Sequence, residues 1–299
     1  MYVLRYFIIL PIIEQQHVGI EPQMSDWDFF ILTLVVILLT ASGNIINDYF
    51  DVKVDKINKP EKVLVGKTVK RRVAMALNHG LNITAILFSA YLSFKFHSWT
   101  TMLIPLSIAT LLWFYSPIFK KQIFIGNIIV AICVAIIPLW TGVFELIALK
   151  QNYPHVPEIS EITQTILKWL GIYALFAFLI SLSREAYKDL EDLQGDKIGE
   201  YKTLPLVLGE NFAKIYASAM MLICLIAVSY FYHSLGYRLG VNIIESIGVI
   251  VLVIAPGLLS IYFGLSSKHK IAYTKASLFS KLTMGGGIIL CALAGYFYL

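Results

Sequence analysis

Charge is scarce in this sequence. Only 14% of its 299 residues are Asp, Glu, Lys or Arg, and 58% are hydrophobic, whereas roughly a quarter of a soluble domain is charged. The shortage argues against an ordinary water-soluble fold and makes a membrane protein the default class. Cysteine is scarce too: Cys133, Cys224 and Cys291 each sit inside an apolar run without Cys-x-x-Cys or Cys/His spacing. That excludes a disulfide framework or zinc site and leaves the three as packing residues. A cleavable leader is not expected, because residues 1–13 are too apolar and too poor in small residues at a cleavage point; they read as part of the fold. The net charge of +5 is what loops on the cytoplasmic side of a membrane protein confer, so no nucleic-acid partner is expected.

What is present is a recurrence of apolar stretches near 20 residues, the length that crosses a roughly 30 Å hydrocarbon core. Spans are predicted at 28–46, 73–94, 100–116, 123–146, 163–185, 212–232, 241–263 and 276–298. Residues 1–13, ended by Glu14, Gln15, Gln16 and His17, read as the second half of a further span. The predicted fold class is therefore all-α: a polytopic membrane helical bundle of eight full transmembrane helices plus a truncated first one. It forms one domain over 1–299, with polar loops near 47–72 and 184–211.

Basic residues sort the loops by side. Lys53, Lys56, Lys59, Lys62, Lys67, Lys70, Arg71 and Arg72 follow the first full span, and Lys120, Lys121, Arg184, Lys188, Lys197, Lys202, Lys268, Lys270 and Lys275 fall on the same side. The opposite loops offer Lys95, Lys150 and Arg238, with Glu14, Glu21, Asp26, Glu158 and Glu161 gathered there. The positive-inside rule assigns the basic side to the cytoplasm, in a chain expected in the cytoplasmic membrane.

Polar residues also repeat. Asp48, Asp51 and Asp55 form D-x2-D-x3-D, and Asp189, Asp192 and Asp196 repeat it with each member 141 residues on. The second triplet lies four spans after the first, which returns it to the same face and suggests two pseudo-repeated four-helix units. On a helix, Asp48, Asp51 and Asp55, with Asn44 and Asn47, share one face and point into one cavity. Carboxylates so placed repel, and a divalent cation offsets the repulsion. Oxygen-only ligands favour magnesium over zinc, and magnesium commonly takes substrate phosphate oxygens as further ligands, which suits a diphosphate. Arg184 and Lys188, one turn apart, are placed to bind phosphate oxygens that metals leave uncovered. A solvated, merely charged loop explains either motif alone; identical spacing at equivalent positions argues against it for both.

These residues carry a family resemblance. Asn47-Asp48-Tyr49-Phe50-Asp51-Val52-Lys53-Val54-Asp55, followed by Asn58-Lys59-Pro60, resembles the NDxxDxxxD signature of the UbiA superfamily of intramembrane prenyltransferases, and Asp192-Leu-Gln-Gly-Asp196 resembles its second, DxxxD signature. The resemblance covers nearly the whole chain. It implies a helical bundle with a lipid-open central cavity, binding an isoprenyl diphosphate through two magnesium ions. Arg184-Glu185-x-x-Lys188-Asp189-x-Glu191-Asp192-x-x-Gly195-Asp196 with Thr203-Leu204-Pro205 is most similar to the branch that prenylates geranylgeranylglycerol phosphate. Tyr115-Ser116-Pro117, Lys120, Lys121, Gly126 and Asn127 also resemble family positions; Tyr115 is carried over as a wall of the allylic pocket, and Lys120 or Lys121 as a diphosphate contact. Two departures stand out. The chain lacks the family's polar residues near the start of a complete first helix, for which Arg5 is no obvious replacement, and Lys62-Val63 replaces the usual Arg-Pro.

The implied chemistry is ionisation of an allylic diphosphate followed by capture of the cation by an acceptor, behind apolar walls that exclude water. Asp51, Asp55, Asp192 and Asp196 would be the principal metal carboxylates, Asn47 and Asp48 supporting ligands, Asp189 a further or outer ligand, and Arg184 and Lys188 diphosphate contacts. The acceptor ranked first is a glycerol ether lipid and second an aromatic ring of quinone synthesis, since both share the metal machinery. CDP-alcohol phosphotransferases are disfavoured, because neither Asp motif continues into Gly-x-x-Ala-Arg. A cation-coupled transporter is disfavoured because its acids would lie at mid-membrane. No oligomeric state is assigned. Among lesser candidates, His79 beside Asn78 and Asn82 reads as a polar cluster before an acceptor contact, Glu145 as interfacial, and Met284-Gly285-Gly286-Gly287 as a close helix contact. The 17 Tyr and 18 Phe read mainly as core and bilayer anchors.

Overall fold

The computed structural model describes residues 1–16, 19–239, 243–266 and 269–298; His17 and Lys268 of the sequence argument lie outside the described residues. Among these the chain is helical, with one isolated bridge, Val65 to Val69, in the loop after the first Asp motif. Helix α1 covers residues 2–16 and includes a π turn at Arg5–Ile9. The rest are α2 Asp26–Asn58, α3 Arg71–Lys95, α4 Trp99–Tyr115, α5 Ile125–Asn152, α6 Glu158–Glu191, the short α7 Leu193–Ile198 and α8 Leu204–Leu208, α9 Glu210–Leu239, α10 Ile243–Ser266 and α11 Lys270–Tyr298. Seven of them are long and apolar enough to cross a membrane, and α4 is a shorter apolar helix.

The helices outrun the apolar spans read from sequence. The 28–46 span lies inside α2, which runs on to Asn58, and the 163–185 span inside α6, which runs on to Glu191. Apolar length measures hydrocarbon thickness; it does not stop a helix whose polar turns find partners beyond it. α2 stops where Lys59 donates its amide to Asp55 and Pro60 follows, since proline cannot continue the ladder.

α6 is the central element, packed against α5, α9 and α11, while α2 pairs with α3. Ile8, Ile9, Ile12 and Ile13 of α1 fill a buried cluster with Leu149 of α5 and Ile162, Ile166 and Leu170 of α6. Lipid is as apolar as these side chains, so close packing rather than escape from water holds them. Small residues permit it. A Cβ on Gly286 of α11 would fall 1.9 Å from the Leu252 carbonyl oxygen of α10, the close contact expected from the Gly run.

The end of the bundle away from the Asp motifs is tied by charge. Arg5 donates to the Met24 carbonyl at 2.5 Å and to Asp26 at 3.2 Å, Lys95 pairs with Asp28 at 2.8 Å, and Ser25 caps α2 by accepting from the Asp28 amide. Glu145, read from sequence as interfacial, is 3% exposed and accepts from the amides of Gln23 at 2.5 Å and Met24 at 3.1 Å. The 19–25 approach to α2 leaves those amides without helical partners, and the carboxylate satisfies them.

Gly286→Val should therefore lower stability by about 1–3 kcal/mol through overpacking, read as a drop in melting temperature in detergent. Gly287→Ala, with no atom within 4 Å of the added Cβ, should leave it unchanged; equal drops for both would refute the contact.

Candidate active site

The last turns of α2 and the α6–α7 junction meet through one asparagine. Asn58 Nδ2 donates to the Asp192 carbonyl at 3.0 Å, and the Gly195 amide donates to Asn58 Oδ1 at 2.9 Å. Lys270 Nζ, from the start of α11, donates to the Asn58 carbonyl at 2.6 Å. Gly195 is required for this approach, since a Cβ there would stand 2.3 Å from Asn58 Nδ2. The two Asp motifs, far apart in sequence, thereby share one end of the bundle.

Their carboxylates converge with lysines between them. Asp51 is buried; Oδ2 accepts a short charged hydrogen bond from Lys120 Nζ, and Oδ1 accepts from Tyr201 OH at 3.1 Å. Lys59 Nζ lies 3.0 Å from Asp192 and 3.4 Å from Glu191. Asp55, half-buried, is in electrostatic reach of Asp51, Asp48 and Asp192. Asp189 accepts from Asn127 Nδ2 at 2.9 Å, and Asn47 accepts from Ser116 Oγ. Asp48 is exposed, with Asp51 and Lys120 in electrostatic reach. Of the two candidate lysines, Lys120 enters the cluster, while Lys121 is exposed with its ammonium 5.6 Å above the Tyr201 ring. Gly126 sets that choice: its Cα lies where a Cβ would come 3.1 Å from Lys120 Cα, so the Phe119–Lys121 turn packs directly on α5.

The electrostatics are those of a site short of positive charge. Burial pushes the Asp196 carboxyl up to about 7, with Asp192 and Asp51 adding to the shift against Lys120 and Lys59. Burial works to lower the Lys59 ammonium, yet Asp192 and Glu191 outweigh it and leave it raised. Burial likewise opposes the charge on Lys120, and Asp51, Tyr115 and Tyr201 leave it raised. Among the described residues no three metal-binding side chains stand close enough to cage an ion as placed. The donor set nevertheless fits magnesium: it is all oxygen, supplied by carboxylates from two elements, and ammonium groups already occupy the positions of counter-cations beside Asp51 and Asp192.

Below this cluster lies a cavity of about 370 Å³ between α2, α4, α5 and α6. Asn44, Asn47, Tyr115, Arg184, Glu185 and Lys188 form its polar end, and Val35, Val36, Ile104, Ile136 and Trp140 its apolar end. From Asn47 to Val36 along α2 is roughly 16 Å at 1.5 Å per residue. Arg184 and Lys188 both pair with the buried Glu185, at 2.6 Å and 3.0 Å. Arg184 Nε is buried without a hydrogen-bond partner, a donor suited to an incoming anion. His79 is exposed and stacks on Trp113 at 5.2 Å, while Asn78 and Asn82 form the polar cluster with Ser42.

Asn58, Lys59, Tyr201 and Glu185 join the site without having been predicted there. Asn58 and Lys59 were visible as the continuation of the first motif, and Glu185 as an acid between two bases. Tyr201, five residues after Asp196, carried no periodic signal.

The profile of the UbiA prenyltransferase family matches residues 18–283. A digeranylgeranylglyceryl phosphate synthase of Thermococcus sibiricus is 34% identical over 62% of this chain, and the match spans 58% of that relative's length. One of Sulfurisphaera tokodaii is 30% identical over 90% of this chain and 88% of its own. Among solved structures, a UbiA homologue from Aeropyrum pernix superposes with a TM-score of 0.65 at 13% identity, covering 96% of this chain and 95% of that one. Another from Archaeoglobus fulgidus, bound to DMAPP and Mg2+, gives a TM-score of 0.52 at 19% identity over 98% and 96%. At these identities the structures establish the fold.

Asn58→Ala should free the 192–203 segment, costing about 1–3 kcal/mol for the buried groups left unpaired. Faster proteolytic cleavage there and a lower melting temperature are the expected readouts. Cleavage at the wild-type rate would show that the motifs are joined by other contacts.

Proposed function

Because this chain belongs to the UbiA prenyltransferase family, we propose that it transfers a geranylgeranyl group from its diphosphate to geranylgeranylglycerol phosphate, forming an ether lipid. The observation that carries this is the convergence of two Asp motifs above an apolar cavity. The names of the curated relatives favour the glycerol acceptor over the aromatic one.

In this reading Asp51, Asp55, Asp192 and Asp196 hold magnesium, with Asn47, Asp48 and Asp189 as supporting ligands. Bound magnesium supplies neutralisation of the charge that develops on the diphosphate. Lys120, Arg184 and Lys188 bind diphosphate oxygens, with Lys121 at the rim. Tyr115 forms a wall beside the allylic carbon, and the aliphatic walls keep water from the cation until the acceptor arrives. The α4 segment is taken as an eighth crossing, with α1 as the short helix before the first full one, in two related four-helix units of a single domain over 1–299. The basic loops favour the motif end in the cytoplasm.

Purified protein with magnesium, geranylgeranyl diphosphate and a panel of glycerol and aromatic acceptors should yield a mass-identified digeranylgeranyl ether. Asp51→Asn and Asp192→Asn should each lower the rate by roughly 10²–10³-fold, the scale of losing one element of charge stabilisation. Absence of any alkylated acceptor would defeat the proposal, and an alkylated ring would move it to the quinone branch.

A further inference from the structure

Ether formation leaves a proton to be placed, and the site described so far names no group to take it. Of the residues lining the cavity only one is a carboxylate, Glu185. It is 5% exposed, and lies seven residues before Asp192 on the same face of α6, which is about 10 Å nearer the apolar end. The motif carboxylates are engaged above it: Asp51 with Lys120 and Tyr201, Asp192 with Lys59, Asp189 with Asn127. Glu185 thus sits between Arg184 and Lys188 at the polar end of the cavity, beside the place where the allylic carbon and the attacking oxygen must meet.

We propose that Glu185 is the base that accepts the acceptor hydroxyl proton, an inference that rests on the prenyl-transfer reading. The bond between the allylic carbon and the diphosphate oxygen breaks, and its electron pair leaves with the diphosphate. A lone pair of the glycerol hydroxyl forms the new carbon–oxygen bond. The O–H pair stays on the ether oxygen, and the proton passes to the Glu185 carboxylate, which later returns it to water. A weak base is sufficient, because an alkylated hydroxyl is far more acidic than a carboxylic acid, so the pairing with Arg184 and Lys188 does not disable it. That pairing also gives the transfer a second consequence. Once Glu185 is neutral, its charge no longer competes for Arg184 and Lys188, and their hold on the diphosphate strengthens. The departing diphosphate, covered by cations, is the poorer proton acceptor.

Glu185→Gln tests this in nanodiscs with magnesium, geranylgeranyl diphosphate and geranylgeranylglycerol phosphate. Ether formation should fall by about 10²-fold, the usual weight of a general base, while geranylgeranyl diphosphate binds no more weakly than to wild type. Sodium azide captures the allylic cation with no proton to lose, so geranylgeranyl azide should form at the wild-type rate. Glu185→Asp should restore part of the ether activity, and it decides the matter by the same three readouts if the glutamine variant does not fold. A weakened Kd with ether and azide products falling together would make Glu185 a positioning residue for Arg184 and Lys188 and overturn the proposal. Ether formation near the wild-type rate would overturn it as well, and assign the proton to the diphosphate. If wild-type protein makes neither ether nor azide product, the prenyl-transfer reading itself fails.

Discussion

Repulsion among carboxylates governs the architecture of this protein. Asp55 of α2 lies in electrostatic reach of Asp192, at the end of α6, and Asp51 of Asp196, on α7. In a medium of low dielectric such a cluster is untenable without cations close by. Lys120 and Lys59 supply them, each inserted beside one motif. Much of the surrounding structure serves to deliver those two ammonium groups: the Gly126 contact that aims the Phe119–Lys121 turn, Pro60 after α2, and the Asn58 bridge. Lys120 and Lys59 thus offset part of the carboxylate charge, one beside each motif.

A bilayer imposes the second constraint. Polar backbone cannot be left open inside hydrocarbon, so non-helical chain is confined to the two ends, and those ends are tied differently. At the remote end Arg5, Glu145 and Lys95 satisfy amides, a carbonyl and acids with fixed partners. At the motif end the same kinds of group are clustered in excess of their partners. Compensation is fixed at one end and incomplete at the other, which is the end proposed to bind.

Sequence made the scaffold legible and the joints illegible. Apolar length located the crossings because it records bilayer thickness, but it missed the extra turns of α2 and α6 that carry Asp51, Asp55 and Asp189, since polar turns look like loop. The Asp spacing stood out because charge is rare in such a chain, and the fold brings the two motifs to one end of the bundle. Asn58 and Tyr201 escaped because their partners, Gly195 and Asp51, are distant in sequence and nothing in a single chain links them. The partners of Glu145 were hidden for the same reason, since only the fold brings residues 23 and 24 over it. Glu185 was read as part of a charged run, although its role depends on which side of α6 meets the cavity.

The boundary between charge and hydrocarbon is one helical turn wide. On α6, Lys188 and Arg184 belong to the polar end of the cavity, while Ile180 and Leu179 are already buried in an apolar cluster with α9 and α10. A diphosphate can be stabilised only above that boundary, and an allylic cation can be kept from water only below it. A reaction that needs both must take place at the boundary, where Tyr115, Asn47 and Glu185 lie. Moving the motifs a turn further from the membrane would leave the cation in water; moving them a turn deeper would bury carboxylates that no lysine could reach. In the proposed reaction the two Asp motifs would act together only if both present their oxygens at that boundary.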